Sequence, residues 1–314
     1  MQNNISFTSD VKREICSKEF DSISAISFLS GFVRINATYK IKNKNEILIL
    51  TSYDSFIIKI ILSLFEKYLS SKGSILYSEE KKLKKRNKYT LYFEDNVYEI
   101  LKILKIDVFN SEIDSSLIDK QNKIYSYIAG VFLACGRVSS ASSTNYHLEI
   151  ELNNANLALN LQKLLNSIKN ASYNFRLIKR RTKYVLYIKR SDLISSFLVM
   201  IGAVNSYISY ENIRVEREFA NNENRIYNLD TANYSKTINS CIAQIENIKK
   251  IERVIGIKNI DNEKIRILCE ERLNNKEASL QELSNIMSKR LNTKVSRSNI
   301  YHLFNKIKQL SERL

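Results

Sequence analysis

Residues 86–93 and 181–188 alternate in the manner of a half-buried strand, and the two stretches match. Arg86-Asn-Lys88-Tyr89-Thr-Leu91-Tyr92-Phe93 lines up with Arg181-Thr-Lys183-Tyr184-Val-Leu186-Tyr187-Ile188 at an offset of 95. Each leads into apolar residues at helical spacing, Val97, Ile100, Leu101 and Leu104 in one case and Leu193, Ile194, Phe197 and Leu198 in the other. Upstream, Ser24–Asn36 and Lys123–Cys135 are both helical patterns with a glycine in the final third (Gly31 and Gly130, offset 99). Each is followed by a strand (Glu46–Leu50; Tyr146–Leu152), a helix (Ser55–Leu69; Asn156–Ile168) and a second strand (Ser74–Tyr77; Tyr173–Ile178). The first 220 residues therefore predict a tandem α-β-β-α-β-β-α duplication, with halves at about 20–106 and 120–203.

Beyond the polar stretch Asn221–Asn224 the strand signals stop. Residues 221–235 read as a linker, and 236–314 as an all-α domain, so the fold class is α+β followed by helices. Ala232–Val254 and Glu263–Leu273 have helical spacing. Ser279 and Glu282 stand in capping-box register at the start of a third helix. Ser296 can cap a fourth, Arg297–Ser311, with Ile300, Phe304, Ile307 and Leu310 inward. The last pair, at about 278–312, has helix-turn-helix form, with Arg297, Ser298, Asn299, Tyr301, His302 and Lys306 near the start or on the outer face of the final helix. The stretch Asn285–Val295 reads as a longer turn than is usual. A plain helical packing domain has the same pattern.

Composition narrows the class. The longest apolar runs are broken by a charge, as in Ile57-Ile58-Lys59-Ile60-Ile61-Leu62, too short to span a bilayer. The start, Met-Gln-Asn-Asn-Ile-Ser, lacks the basic and apolar regions of a secretory signal. Cys16, Cys135, Cys241 and Cys269 never form CxxC, and with two histidines and no glycine-rich phosphate loop, neither metal nor cofactor is expected. A cytoplasmic, nucleoid-associated protein without membrane contact is the expectation. The net charge of +16 is a weak hint by itself, because Pro and Trp are absent and Ile, Asn and Lys abundant, as in an AT-rich genome.

Its distribution is more telling. Lys81, Lys82, Lys84, Lys85, Arg86 and Lys88 form one acid-free cluster. Arg176, Lys179, Arg180, Arg181, Lys183, Lys189 and Arg190 form another, and the two hold thirteen of the sixteen net charges. Both fall on the last two strands of a half, so a pseudo-symmetric pair of sheets would offer duplex nucleic acid a basic saddle. The interleaved Tyr77, Tyr89, Tyr92, Tyr173, Tyr184 and Tyr187 suit contacts to sugar or base, or cross-strand packing.

The two Gly-containing helices space small residues four apart, Ser27/Gly31 and Ser126/Gly130/Ala134, on one face. Two such helices in a duplicated chain resemble the LAGLIDADG homing endonucleases, in which the paired helices join the halves and each ends in a metal-binding acid. Set on this sequence, those positions are Asn36 and Cys135. An amide is a weak ligand and a thiol too soft for Mg²⁺, so no catalytic residue is expected. Glu149 and Glu151 on a following strand are the nearest displaced pair.

Asn224-Arg225-x-x-Asn228-x-x-Thr231-Ala232-Asn233-x-x-Lys236-Thr237, followed by Gln244-Ile245-x-x-Ile248, resembles the linker and first C-terminal helix of the WhiA family of bacterial regulators. Ser6–Glu14, Tyr146–Ile150 and Ala278–Leu283 are similar to other parts of that family, so the resemblance spans essentially the whole chain. It implies a non-cleaving LAGLIDADG-like domain joined to a reader of promoter DNA, acting in transcription control linked to cell division, and to sporulation where that occurs. The final helix departs from the family, with Leu303 and Asn305 where arginines usually stand, which removes the side chains best suited to guanine. His302 alone makes no metal site; a surface or phosphate contact fits it better. Double-stranded DNA at promoters is the expected partner, with RNA polymerase or another regulator beside it. A divergent endonuclease or RNA maturase, or an adaptor that binds a ligand or protein between the halves, stays open as an alternative.

Overall fold

The computed structural model describes residues 6–42, 45–80, 86–169 and 171–314. The chain divides into two compact units, Met1–Arg217 and Glu218–Leu314, each with its own core.

In the first unit, α1 (Phe7–Cys16) precedes a half made of α2 (Ser22–Asn36), β1 (Thr38–Lys42), β2 (Asn45–Ser52), α3 (Ser55–Leu69), β3 (Ser74–Glu80), β4 (Arg86–Phe93) and α4 (Val97–Ile103). The second half repeats it with α5 (Gln121–Cys135), β5 (Gly136–Val138), β6 (Leu148–Leu152), α6 (Ala155–Asn166), β7 (Arg176–Arg180), β8 (Lys183–Ile188) and α7 (Ser191–Met200). Each half forms an antiparallel four-stranded sheet, β1-β2-β4-β3 and β5-β6-β8-β7. The duplication stands as the sequence predicts, with refinements at four elements. α1, β1 and β5 were not located by periodicity. β7 begins at Arg176 rather than Tyr173, because Tyr173 and Phe175 are core residues in an irregular approach to the strand, packed on Phe197.

One face of each sheet is apolar and buried. Leu48, Leu50, Leu91 and Phe93 form it in the first half, and Leu148, Ile150, Leu152, Leu186 and Ile188 in the second. The period-2 alternation puts the intervening side chains on the opposite face. The halves join through α2 and α5, which cross closely at their glycines. A Cβ on Gly31 would lie 2.2 Å from the Tyr127 carbonyl oxygen, and one on Gly130 2.0 Å from that of Phe28. Glycine is the residue that permits this approach. Phe28, Phe32, Ile128 and Phe132 bury themselves around the crossing.

α8 (Val204–Val254) is helical throughout, so residues 221–235, read from the sequence as a linker, are helix. Its fifty-one residues contain neither Gly nor Pro, and nothing interrupts the hydrogen-bond ladder. It stops at Gly256, whose φ of 79° lets its N–H reach back to the Ile251 carbonyl at 3.1 Å.

In the second unit, α9 (Glu263–Asn274), α10 (Leu280–Arg290) and α11 (Arg297–Arg313) pack around Leu268, Leu283, Met287, Ile300, Leu303, Phe304 and Ile307. The capping box at α10 forms as expected, with both reciprocal Ser279–Glu282 bonds present. Because α10 continues to Arg290, the turn before α11 is 291–296, shorter than the Asn285–Val295 stretch expected. Ser284 donates to the Val295 carbonyl at 2.6 Å and Ser288 accepts from its N–H at 2.9 Å, which pins the turn to α10.

Candidate nucleic-acid interface

At the C-terminal ends of α2 and α5, the two positions where acids would hold a metal are committed elsewhere. Asn36 pairs with the backbone of Thr51, donating to its carbonyl at 2.9 Å and accepting from its N–H at 2.8 Å. Its amide thus serves as an extra rung beside β2. Cys135 donates to the Val131 carbonyl at 3.5 Å, and burial raises its pKa to about 12, so the thiol is neutral at physiological pH. Lys12 of α1 lies within electrostatic reach of Cys135, Asp54 and Arg137, and burial lowers its pKa. The amino group of Lys12 therefore stands near the second acid position. Lys12 was not singled out in the sequence, where a lysine beside Arg13 in a short N-terminal stretch gives no signal of its own. Among the described residues no group of three or more His, Cys, Asp or Glu is arranged to hold a metal ion.

The sheet faces turned away from the helices carry the basic residues, though not all of them. In the first half, Lys81, Lys82, Lys84 and Lys85 lie outside the described residues, and Arg86 opens β4. Lys88 is half-buried, in register with Ser78. Lys40 and Lys42 of β1 are exposed on the same face and were missed, although their spacing of two within a polar stretch marked them.

In the second half, strand parity puts Arg176, Arg180 and Lys183 on that face and Lys179 on the other, with its Nζ 5.9 Å from the Tyr184 ring. Arg181 sits in the β7–β8 turn with a left-handed φ of 56°. Lys189 follows β8, its Nζ 5.5 Å from the Tyr187 ring. The cluster is acid-free along the chain but not in space. Arg180 grips Glu149 with two nitrogens, at 3.1 and 3.3 Å. Lys183 lies 3.9 Å from Glu151 and donates to Asn153, and Arg190 pairs with Asp192 at 2.6 Å. Among the described residues, Arg176 and Arg181 make no ion pair. The tyrosines divide similarly. Tyr173 is core, while Tyr77 is exposed against Tyr89 at 5.7 Å.

In the second unit, Ser279 and Ser296 cap α10 and α11 through their hydroxyls, accepting from the Glu282 and Asn299 N–H groups. Arg297, Ser298, Asn299, Tyr301, His302 and Lys306 are all exposed, Tyr301 at 55%. Ser298, Tyr301, His302 and Asn305 fall at i, i+3, i+4 and i+7, a single outer face, while Ile300, Leu303, Phe304 and Ile307 fill the inner one. Leu303 is only 6% exposed, so an arginine lost at that position takes nothing from the outer face. This corrects the expectation that both Leu303 and Asn305 mark missing base contacts; only Asn305 faces outward.

Comparison with known proteins agrees with this division. Residues 22–107 match the family model of the WhiA N-terminal LAGLIDADG-like domain, 124–220 that of the WhiA LAGLIDADG-like domain, and 224–311 that of the WhiA C-terminal HTH domain. A probable cell division protein WhiA of Lactobacillus gasseri is 33% identical over 316 residues, covering 99% of this chain and 98% of the relative. One of Staphylococcus aureus strain Newman is 32% identical over 313 residues, with 99% and 98% covered. Among solved structures, full-length DUF199/WhiA from Thermatoga maritima is 28% identical with a TM-score of 0.59, covering 99% of this chain and 98% of that one. Two LAGLIDADG-like halves with antiparallel four-stranded sheets, followed by a helix-turn-helix domain and conserved in extent end to end, place the chain in the WhiA family.

Proposed function

We propose that this protein is a non-enzymatic, DNA-binding transcription regulator linked to cell division, and to sporulation in species that sporulate. The observation that carries the reading is α11. Its inner face is fully committed to the core, and its capped N-terminal turn and outer face present Arg297, Asn299, Tyr301 and His302 to solvent, the arrangement a major-groove reader needs. The unpaired Arg176 and Arg181, with Lys40 and Lys42, supply sequence-independent attraction to phosphates. Promoter duplex is the partner this chemistry fits, with RNA polymerase or another regulator acting beside it, in the cytoplasm at the nucleoid. Among the described residues no helix is long and apolar enough to cross a membrane.

The chemistry also argues against cleavage. Phosphodiester hydrolysis through Mg²⁺ wants hard anionic oxygens. Asn36 spends its amide on Thr51, Cys135 is a partly buried neutral thiol near the Lys12 amine, and Glu149 and Glu151 are neutralised by Arg180 and Lys183.

Binding of the full-length protein to promoter and random duplexes across a salt series tests the reading. Arg176→Glu and Arg181→Glu should weaken both duplexes alike and flatten the salt slope by roughly one each. Asn299→Ala and Tyr301→Ala should narrow the gap between the two duplexes, by about 1–3 kcal/mol. If neither pair alters binding, the protein is not a DNA reader of this kind.

A further inference from the structure

Arg272 is a buried cation without a counter-charge. It is 1% exposed, yet among the described residues it makes no ion pair. Its Nη1 donates to the Ala278 carbonyl at 2.6 Å and to that of Asn275 at 3.2 Å, and its guanidinium lies 5.3 Å from the centre of the Phe304 ring. Its Nε is buried with no hydrogen-bond partner. Burial pulls its pKa down, opposed only by the Cys241 thiol. A buried guanidinium that lacks an anion is expensive to keep, which makes a missing anion the simplest completion.

The side chain lines a cavity of about 400 Å³ that lies wholly within the second unit. Two further cations, Lys236 of α8 and Arg297 of α11, line the same space, and no acidic side chain does. The start of α10 at Ser279, Leu280 and Gln281 also lines it; the capping box takes the N–H groups of Ser279 and Glu282, which leaves those of Leu280 and Gln281 with no carbonyl of their own helix to bond. Gln244 contributes a second buried polar atom without a partner, its Oε1. Turned half-way about its last bond, the same amide offers N–H groups instead. Three cations, a helix N-terminus and two unsatisfied polar atoms converge on one volume of ligand size.

We propose that this cavity is a phosphate seat, which takes a phosphoester group either from a DNA strand or from a free small metabolite. Arg272 and the α10 N-terminus grip the group from inside, and Lys236 and Arg297 close over it from the rim. Because Arg297 opens α11, filling the seat holds the start of that helix against α8. The inference does not depend on the DNA-reading proposal, since the seat is defined by anion chemistry alone.

The test titrates full-length protein with inorganic pyrophosphate at low ionic strength, followed by calorimetry. Saturable binding is expected, weakened about tenfold by Lys236→Ala and by Arg297→Ala, each removing one charge-assisted contact. Both residues are exposed, so neither change threatens folding. Lys249→Ala, an exposed lysine of α8 outside the cavity, removes the same charge and should change nothing. Labelled Arg272 adds a direct readout, as its Nε–H resonance should move on saturation. Random duplex DNA that displaces pyrophosphate assigns the seat to a strand phosphate; duplex that binds without displacing it assigns the seat to a free phosphoester. The proposal is overturned if the wild-type protein shows no saturable binding, or if Lys249→Ala weakens it as much as the cavity variants, which would mean only the diffuse field of a basic chain. Loss of DNA binding with pyrophosphate binding intact would sink the DNA-reading proposal and leave the seat standing.

Discussion

The two sheets of the first unit share strand order and aromatic central strands but differ in what faces the basic hairpin. In the first half Tyr92 stands opposite Ile49 and Thr90 opposite Thr51. At the equivalent places in the second, Tyr187 stands opposite Glu149 and Val185 opposite Glu151. The second sheet therefore neutralises part of its own charge through Arg180–Glu149 and Lys183–Glu151. In the first, the carboxylate of β2, Glu46, lies on the other face and accepts from Tyr39, and the acid in register with the basic hairpin is Glu80 of β3, opposite Arg86. A charge cluster that is acid-free along the chain is thus not acid-free across strands. The pseudo-symmetry is kept at the glycine crossing that joins the halves and has lapsed at the helix ends and on the sheet faces, so its parts can be broken separately.

The largest effect is expected where the halves are most alike. Gly31→Ala and Gly130→Ala each push a methyl to within van der Waals overlap of a carbonyl on the facing helix. Neither backbone can yield without separating α2 from α5, so each variant should lose about 3 kcal/mol, the upper range for overpacking. Urea unfolding of the two proteins measures it. Unequal losses would show that one half dominates the crossing, and a loss well under 1 kcal/mol in both would refute the close approach itself.

The helix ends should respond differently from each other. Asn36→Ala strips two hydrogen bonds from the Thr51 backbone and should cost about 2 kcal/mol at neutral pH. Cys135→Ala removes only a weak thiol contact and should cost less, about 1 kcal/mol. Cys135 instead shows itself in alkali. Its pKa stands at about 12 in the folded protein, above the value of an unfolded thiol, so the unfolded chain ionises first as pH rises. Stability from this group is full below the unfolded pKa and drains away as pH climbs toward 12. Cys16 and Cys269, also raised to about 12, add to the same decline. Stability measured from neutral to alkaline pH should fall less steeply in Cys135→Ala than in the parent, and an unchanged slope would mean the thiol is not desolvated.

The difference between these regions also explains what could be read from the sequence. Alternation in residues 86–93 and 181–188, and glycines four residues from other small side chains, are local signals, and they located the duplicated sheets and the helix pair. β1 and β5 were not located, because Thr38–Lys42 is largely exposed and Gly136–Val138 is three residues long, too little for a period to register. The ion pairs of the second sheet were out of reach for another reason. Arg180 and Glu149 are 31 residues apart and meet only because β8 lies between β7 and β6. Leu303 misled for the opposite cause: resemblance to a family motif suggested a lost DNA contact, and the inward set of Ile300, Phe304, Ile307 and Leu310 left it out, although its place three residues after Ile300 puts it on the same core face.

The smallest effect tests the comparison most directly. Glu149→Gln and Glu151→Gln free Arg180 and Lys183 on a face that already carries the unpaired Arg176. The ion pairs are partly solvated, so their loss should change stability by under about 1 kcal/mol. If the sheet face holds DNA, the released cations should tighten binding to random duplex by about fivefold each and steepen the salt slope by roughly one. The reciprocal change is Ile49→Glu, which installs in the first half the carboxylate that the second possesses, and it should loosen binding by a similar factor. Filter binding across a salt series reads both. If removing acids from one sheet and adding one to the other both leave the slope unchanged, DNA does not lie on these faces, and the attraction belongs to the helical unit alone.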